Sequence, residues 1–184
     1  VNGAVSAYKY GIHVAQNMID RKDDLKLEWA SKEAKPCLTG NEAIAISAMH
    51  YGLEFFSGYP ITPSSEIMQI LQAELPKFGK IFVQTEDEIS AITMAIGASF
   101  AGKIAMTCTS GPGFSLMVEG FGLAAMAELP IVVVNVQRGG PSTGIPTKTE
   151  QSDLNQAIYS PHGDAPNVVL APSDVHECFD VTTV

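Results

Sequence analysis

Short apolar strands and helical segments alternate along most of this chain, and this alternation restricts the fold more than any other feature. Helical patterns occur at 41–51, 64–75, 88–102, 113–126 and 151–158 and from 173 onward, and strand patterns at 53–57, 81–84, 104–109, 131–137 and 168–170. Strands that alternate with helices at this spacing predict an α/β fold, a doubly wound and mainly parallel sheet flanked by helices. The run IVVVNVQ at 131–137 is typical of a strand that is covered on both faces.

The first part of the chain differs from the rest in composition. Residues 1–19 have a helical pattern, and ten of the sixteen residues at 20–35 are charged, which is typical of a solvated linker. We therefore predict two parts, an appendage with its linker at 1–37 and an α/β domain at 38–184.

Charge and cysteine content exclude several classes of protein. The formal charge is −9, and residues 39–184 contain five basic side chains against fifteen acidic ones, so no basic patch is available to grip nucleic acid. No apolar run approaches the length of a membrane span, so a membrane is not expected as a partner. Cys37, Cys108 and Cys178 are far apart, which excludes an iron–sulfur or zinc site built by this chain alone and favours a cytoplasmic location.

The helix at 88–102 follows an acidic cluster. Ile89, Ile92, Ile96 and Phe100 repeat at helical spacing, and alanines occupy the other faces. Because small and apolar residues surround the helix, we expect it to be deeply buried on all sides.

The acidic cluster itself consists of Glu86, Asp87 and Glu88. Carboxylates at this position cap free N–H groups and complement the helix dipole, but one cap uses only one carboxylate. Glu88 lies deepest against the apolar face, where desolvation favours a carboxyl group that carries a proton. Capping and acid–base chemistry both remain open for Glu88.

Four unusual segments each follow a predicted strand. In an open parallel sheet, ligands bind beyond the carboxyl ends of the strands, so the fold would gather these segments along one rim. The segments are GYPITP at 58–63, TEDE at 85–88, TSGPG at 109–113 and RGGPSTG at 138–144.

Two of these segments have both a functional and a structural interpretation. Two prolines fix the turn around Thr62, so its hydroxyl either faces a ligand or caps the next helix. The glycines of 109–113 either let a ligand approach the backbone or serve a tight turn. The segment is neither a dinucleotide fingerprint nor a phosphate loop.

Arg138 is the only arginine in residues 39–184. Its guanidinium either binds a planar anion such as a substrate carboxylate or pairs with an Asp or Glu of this acidic domain. The other conspicuous group, His162-Gly-Asp164, is isolated and favours a loop turn.

Six motifs, in order, resemble the α subunit of 2-oxoacid:ferredoxin oxidoreductases. They are TGNEAIA, SGYPITPSS, QTEDEISA, TSGPGFSLM, ELPIVVVNVQRGGPSTG and PTKTEQSDL. From Leu38 to Pro172 the chain resembles the pyrimidine-binding domain of this thiamine-diphosphate enzyme, in the form that carries a smaller γ-type domain upstream. The resemblance implies a thiamine-diphosphate-binding fold of the pyrimidine-domain type, truncated at its C-terminal end. Residues 1–37 would be the tail of the γ-type domain and its linker.

The resemblance also implies roles for individual residues. Glu88 would hydrogen-bond the aminopyrimidine ring nitrogen of thiamine diphosphate, so that the cofactor's own amino group removes the thiazolium C2 proton. Thr62 would stand near the reacting carbon, and Arg138 would hold the substrate carboxylate. The residues expected to border the pyrimidine pocket are Tyr59, Pro60 and Ser110.

One half of the family's cofactor site has no counterpart here. The diphosphate–metal motif of the family is a GDG followed by Asn, and His162-Gly-Asp164 does not continue it. In the family that half lies in a β-type subunit, where Mg²⁺ and an iron–sulfur cluster are expected. The chain would thus work only with that subunit, in a hetero-oligomer that converts a 2-oxoacid, coenzyme A and oxidised ferredoxin into acyl-coenzyme A, CO₂ and reduced ferredoxin.

The resemblance does not fix which 2-oxoacid is used. Pyruvate and 2-oxoglutarate are both candidates, and the fused γ-type domain favours 2-oxoglutarate. The alternative to an enzyme subunit is a non-catalytic α/β module that binds a nucleotide at 109–113 or only completes an assembly.

Overall fold

The computed structural model describes residues 2–18, 33 and 35–183. The chain separates into two compact units, of which one ends at Pro36 and the other begins at Cys37. The first unit contains helix α1 (Asn2–Met18), in agreement with the helical pattern at 1–19. The predicted linker at 20–35 lies almost entirely outside the described residues. No helix in the described part of the chain is long and apolar enough to cross a membrane.

The second unit is built on a sheet of four parallel strands in the order β2-β1-β3-β4. The strands are β1 (Phe55–Gly58), β2 (Ile81–Gln84), β3 (Ala105–Thr109) and β4 (Val132–Asn135). The register places Gly58 opposite Gln84 and Thr109 opposite Asn135. The chain therefore leaves β1 towards β2 on one side and later returns to β3 on the other, so the direction of winding changes between β1 and β3.

Helices cover both faces of this sheet. They are α2 (Gly40–His50), α3 (Ser65–Glu74) with a 3-10 turn (Leu75–Phe78), α4 (Glu88–Phe100), α5 (Gly111–Leu116), α6 (Val118–Met126), α7 (Leu154–Tyr159) and α8 (Val175–Val181). One core cluster joins α2 and α3 to β1 and β3 through residues such as Phe56, Ile67 and Met106. A second cluster joins α4 to α6 around Ile92. Two cores on opposite faces confirm the predicted doubly wound α/β architecture.

Two predicted elements differ from the structure. The helix predicted at 113–126 is two helices that break at Met117. The strand predicted at 168–170 is wrong, because this segment has no ladder and the Val168 side chain is 87% exposed. Pro166 and Pro172 flank this short run, and a proline cannot donate the backbone hydrogen bond that a strand ladder needs. β4 is therefore an edge strand, but both of its faces are covered as expected, since Val134 and Val136 pack against one core cluster and Ile131 and Val133 against the other.

The predicted burial of α4 on all sides is wrong as well. Ile92 and Ile96 are buried, but Ile89 and Phe100 are 54% and 80% exposed. The buried face is centred on small and polar residues, Ala95, Ser99 and Glu88, so the isoleucine and phenylalanine at its edge face outward. Glu88 belongs to this buried face and lies near Thr109, at the carboxyl end of β3.

Candidate active site

The direction of winding changes between β1 and β3, and in open parallel sheets the ligand crevice is found at the carboxyl ends of two such strands. The turn at 59–64 follows β1, and the first turn of α5 follows β3. The start of α4 and the loop at 138–150 follow the two outer strands. All four segments that the sequence singles out therefore begin at the same edge of the sheet.

The capping role in the acidic cluster belongs to Asp87. Its carboxylate accepts a hydrogen bond from the Ser90 backbone N–H at 2.7 Å. This bond, the largest of several causes, lowers the pKa of the Asp87 carboxyl group below its ordinary value. Because Asp87 caps the helix by itself, neither Glu88 nor the exposed Glu86 is needed for that role.

Glu88 is the first residue of α4, and only 6% of it is exposed. Within the described part of the chain its carboxylate has no hydrogen bond and no ion pair. A buried carboxylate without a partner is unfavourable unless a bound group supplies one. Because Asp87 is the cap, a binding or catalytic role stays the expectation for Glu88.

The Glu88 side chain lies against the backbone of Gly113. A Cβ atom built on Gly113 would lie 2.5 Å from Glu88 Oε1 and 2.8 Å from its Cγ, and would overlap the hydroxyl of Thr109. Neither Gly111 nor Gly113 has a positive φ angle, so a tight turn does not explain Gly113. The glycine is required because Glu88 and Thr109 occupy the space that a side chain would need.

Two further hydroxyl groups in this crevice have no partner. Thr109 and Ser110 are fully buried, and neither Thr109 Oγ1 nor Ser110 Oγ has a hydrogen bond among the described residues. Leaving a buried hydroxyl unpaired costs about 1–3 kcal/mol. Thr109 shares the space around Gly113 with Glu88, and Ser110 follows Thr109 directly in the chain. The unpaired polar atoms are therefore concentrated at the end of β3, where a ligand would bind.

The turn after β1 places Thr62 at the surface of the crevice. Thr62 is exposed and is not the cap of α3, since Ser64 holds that position. The Ser64 hydroxyl donates to the Ile61 carbonyl at 2.9 Å, which closes the turn below Thr62. Tyr59 and Pro60 lie in the same turn and are exposed.

Arg138 joins the loops that follow β1 and β4. Its Nη1 donates to the Thr62 carbonyl at 2.7 Å, and its Nη2 donates to the Thr143 carbonyl at 2.6 Å. Arg138 is 5% exposed, and its Nε has no partner among the described residues. No ion pair of Arg138 with a carboxylate is found in that part of the chain, so the alternative of an internal pair is not observed.

The first turn of α5 connects Arg138 to Glu88. A Cβ built on Gly111 would lie 3.9 Å from Arg138 Cγ, whereas Gly113, two residues later, contacts Glu88. The structure thus brings Glu88 and Arg138 to the first turn of α5, which follows Ser110, and brings Arg138 to the Thr62 backbone. Tyr59 and Pro60 follow β1 on the same rim and are exposed.

Thr109 was not a candidate site residue on the sequence alone. The feature that could have identified Thr109 is the presence of two threonines, Thr107 and Thr109, in a strand whose five residues are all buried. Hydroxyls on successive positions of one face of a buried strand are unusual, because apolar β-branched residues fit that environment better.

No metal centre is formed by this part of the molecule. Among the described residues, no group of three or more His, Cys, Asp or Glu side chains could hold a metal ion. His162 and Asp164 are exposed in a bend. Cys37, Cys108 and Cys178 are free thiols.

A parallel α/β sheet with unpaired buried polar groups at its carboxyl edge defines a protein that binds a ligand at that edge. Residues 46–184 match the family model described as pyruvate flavodoxin/ferredoxin oxidoreductase, thiamine diphosphate-binding. Because the match covers most of the chain, the chain belongs to this family.

Curated relatives and solved structures support the same family. A 2-oxoglutarate synthase subunit KorA from Archaeoglobus fulgidus is 57% identical over 145 residues, which are 79% of this chain and 42% of the relative. The α subunit of 2-oxoacid:ferredoxin oxidoreductase 1 from Sulfurisphaera tokodaii is 43% identical over 95% of this chain and 31% of its own length.

A solved structure of 2-oxoglutarate:ferredoxin oxidoreductase from Magnetococcus marinus, with 2-oxoglutarate, coenzyme A and succinyl-CoA bound, superposes with a TM-score of 0.85. The sequence identity is 45%, and the match covers 97% of this chain and 31% of the other. The chain therefore spans less than half the length of the relatives that it matches.

Proposed function

We propose that this chain forms the pyrimidine-binding part of the α subunit of a thiamine-diphosphate-dependent 2-oxoacid:ferredoxin oxidoreductase. The observation that carries the proposal is the buried carboxylate of Glu88, which has no partner in the described chain and lies against Gly113. The overall reaction joins a 2-oxoacid and coenzyme A, releases CO₂ and a proton, and passes two electrons to oxidised ferredoxin. The products are acyl-coenzyme A and reduced ferredoxin.

The polar groups of the crevice fit an aminopyrimidine ring. Glu88 offers a desolvated acceptor for a ring N–H, and the unpaired Ser110 hydroxyl offers a second polar contact. A low dielectric strengthens the hydrogen bond that Glu88 makes to a ring nitrogen. When bound, thiamine diphosphate supplies the nucleophilic carbon and the electron sink for loss of CO₂. Glu88 holds the proton at the ring nitrogen, and Tyr59 and Pro60 border the ring.

Arg138 and Thr62 form the substrate side of the same crevice. The bonds from Arg138 to the Thr62 and Thr143 carbonyls fix the plane of the guanidinium. Nε and the remaining N–H groups are left to bind the carboxylate that every 2-oxoacid carries. Thr62, whose carbonyl accepts from the guanidinium, would contact the substrate near its reacting carbon through its hydroxyl.

A β-type partner subunit supplies the other half of the cofactor site, with Mg²⁺ and an iron–sulfur cluster. One observation supports this part of the proposal: the relatives are named as subunits. Three free thiols fit a reducing cytoplasm as the location of the complex.

We also propose that residues 1–37 are the tail of a γ-type domain with its linker, and that 38–184 are the pyrimidine-binding domain. The Sulfurisphaera α subunit aligns with 95% of this chain, whereas the Archaeoglobus KorA subunit aligns with 79%. Some relatives therefore include a counterpart of the upstream part.

The full-length protein assembled with its partner subunit provides the test. We expect Glu88→Gln to lower the rate of oxidative decarboxylation at least about 100-fold, because the carboxylate can no longer accept the ring proton. Glu86→Gln is the matched control, since it makes the same change on an exposed neighbour, and it should retain the wild-type rate. The assay with the wild type compares 2-oxoglutarate, pyruvate and a branched 2-oxoacid, and the names of the relatives favour 2-oxoglutarate.

Two results would contradict the proposal. One is a Glu88→Gln complex with unchanged turnover. The other is tight binding of thiamine diphosphate to the isolated chain in calorimetry, because the diphosphate half of the site is assigned to the partner.

A further inference from the structure

The Thr109 hydroxyl is buried next to Glu88 without a partner. Thr109 is the last residue of β3 and has no exposed surface. A Cβ atom on Gly113 would contact both Thr109 Oγ1 and Glu88 Oε1, so these two oxygens face the same point of the α5 backbone. The backbone of Thr109 is satisfied, since its carbonyl accepts a hydrogen bond from the Val136 N–H at 2.9 Å. Only the hydroxyl remains without a partner.

Packing does not explain a threonine at this position. Valine has nearly the same shape and would fill the same space without burying an unpaired hydroxyl. β3 is the most buried strand of the sheet, so a hydroxyl here is unfavourable unless it makes a bond in the working state of the protein. Hydrogen bonds at catalytic sites are commonly long without ligand and shorten when the ligand binds.

We propose that Thr109 is a positioning residue for Glu88, whose carboxylate accepts a hydrogen bond from the Thr109 hydroxyl when the cofactor is bound. The carboxylate has two oxygens, so Oε1 accepts from Thr109 while the other oxygen contacts the pyrimidine ring. The bond fixes the rotation of the carboxylate about its own axis. This inference rests on the proposed function, because it assigns a role to Thr109 only through Glu88.

A second acceptor competes for the same hydroxyl. Asn135 lies opposite Thr109 in the neighbouring strand, and its Oδ1 is also buried without a partner in the described chain. Asn135 is already held by its Nδ2, which donates to Asp153 Oδ2 at 3.0 Å. If Thr109 served Asn135 instead of Glu88, its loss would lower stability and leave the cofactor site unchanged.

Thr107 provides a matched control. It lies two residues earlier in β3 on the same face, is fully buried, and its hydroxyl has no partner among the described residues. Its side chain is about 7 Å further from the carboxyl edge. Thr107→Val and Thr109→Val therefore remove the same kind of group from the same strand, but only Thr109 faces Glu88.

The experiment uses the full-length protein assembled with its partner subunit. The affinity for thiamine diphosphate is measured by calorimetry, the near-ultraviolet circular dichroism of the bound cofactor reports the state of the ring, and kcat and KM are measured with the preferred 2-oxoacid. We expect Thr109→Val to weaken cofactor affinity and lower kcat by about tenfold each and to reduce the dichroic band, because the carboxylate is no longer oriented. KM for the 2-oxoacid should stay within about twofold. Thr109→Ser, which keeps the hydroxyl, and Thr107→Val should both stay within about twofold of the wild type.

Several outcomes would overturn the inference. They are a Thr109→Val complex with unchanged cofactor affinity and kcat, an equal loss in Thr107→Val, or a Thr109→Ser complex as impaired as Thr109→Val. Thr109→Ala serves as a second hydroxyl-free variant if Thr109→Val does not assemble. Glu88→Gln is measured alongside: if it is inactive while Thr109→Val is normal, only this inference fails, and if it is active, the proposed function fails.

Discussion

The polar side chains at the two edges of the sheet differ in whether they have hydrogen-bond partners. At the amino edge, Glu54 accepts from Lys103 Nζ at 3.1 Å and from the Ile104 N–H at 3.2 Å, and Lys80 Nζ lies 3.7 Å away. At the carboxyl edge, Glu88 is 6% exposed and its carboxylate has no hydrogen bond or ion pair in the described chain, and the Thr109 hydroxyl is fully buried without a partner. Glu54 at the amino edge is paired within the protein, whereas the groups at the carboxyl edge lack hydrogen bonds that a ligand would supply.

The distribution of unpaired atoms follows the same division. The buried side-chain atoms without a hydrogen bond belong to β3 or β4 or follow them in the chain, and none of those in the described residues is at the amino edge. They are in Thr107, Thr109, Ser110, Asn135, Arg138 and Ser160. Natural proteins keep few such groups because each lowers stability. Four of the six residues, Thr109, Ser110, Asn135 and Arg138, lie at or just beyond the carboxyl ends of β3 and β4, which favours this edge as the functional side of the sheet.

The largest expected effect comes from filling the space at the carboxyl edge. Gly113→Ala would place a methyl group 2.5 Å from Glu88 Oε1 and on the Thr109 hydroxyl. We expect the affinity for thiamine diphosphate in the assembled complex to fall at least about 100-fold, because the carboxylate is displaced. Overpacking should also lower the free energy of unfolding by about 1–3 kcal/mol. Calorimetry and chemical denaturation measure the two quantities.

Gly122→Ala is the matched control for that substitution. Gly122 lies inside α6, and no atom lies within 4 Å of the position that a methyl group on its Cα would occupy. The change should raise the free energy of unfolding by up to about 1 kcal/mol, since alanine favours the helix. A Gly113→Ala complex that binds the cofactor normally would show that Glu88 and Gly113 do not share this space in the working enzyme.

The comparison of β3 with β4 shows what the sequence could and could not predict. The apolar run at 131–137 predicted a strand covered on both faces, and β4 does contact both cores, but it lies at the edge of the sheet, whereas β3, with two threonines, is completely buried. Periodicity predicts that a strand exists, whereas its place in the sheet depends on long-range pairing. The alternation of elements was sufficient for the parallel, doubly wound fold, and the same alternation suggested a strand at 168–170 that does not form.

The candidate site was predictable to a similar extent. Local chemistry pointed to Glu88, Thr62 and Arg138, and the rule for ligand position in parallel sheets predicted their shared edge. The partners of Arg138 are the carbonyl of Thr62 in the distant loop after β1 and the carbonyl of Thr143 in its own loop, and no sequence pattern encodes those contacts. The pairing of Thr109 with Gly113 depends on the packing of α5 on β3, so it is visible only in three dimensions.

An intermediate effect is expected from Arg138→Lys. A lysine has one charged nitrogen and cannot reproduce the two separate bonds that Nη1 and Nη2 make to Thr62 and Thr143. We expect kcat/KM for the preferred 2-oxoacid to fall by about 10- to 100-fold, mainly through KM, because the carboxylate loses a bidentate donor. Steady-state kinetics of the assembled complex provide the measurement.

Lys148→Arg is the control for this change, since it exchanges the same two side chains at an exposed position of the loop at 138–150. It should retain the wild-type kcat/KM. An unchanged KM in Arg138→Lys, together with a lower melting temperature, would assign Arg138 to holding the loops together and would remove it from substrate binding.

The smallest effect is expected at the amino edge, where the polar groups are already paired. The hydrogen bond from Lys103, followed by that from the Ile104 N–H, lowers the pKa of the Glu54 carboxyl group below its ordinary value of 4.5. A carboxyl group with a lowered pKa in the folded state stabilises the protein above its unfolded pKa, and this contribution is lost as the pH falls through the lowered value. The melting temperature of the wild type should therefore fall more steeply below about pH 4.5 than that of Glu54→Gln. Cofactor affinity and turnover at neutral pH should be equal in the two proteins, because Glu54 is at the opposite edge from Glu88, and a loss of either would contradict the division of the sheet into a structural edge and a functional one.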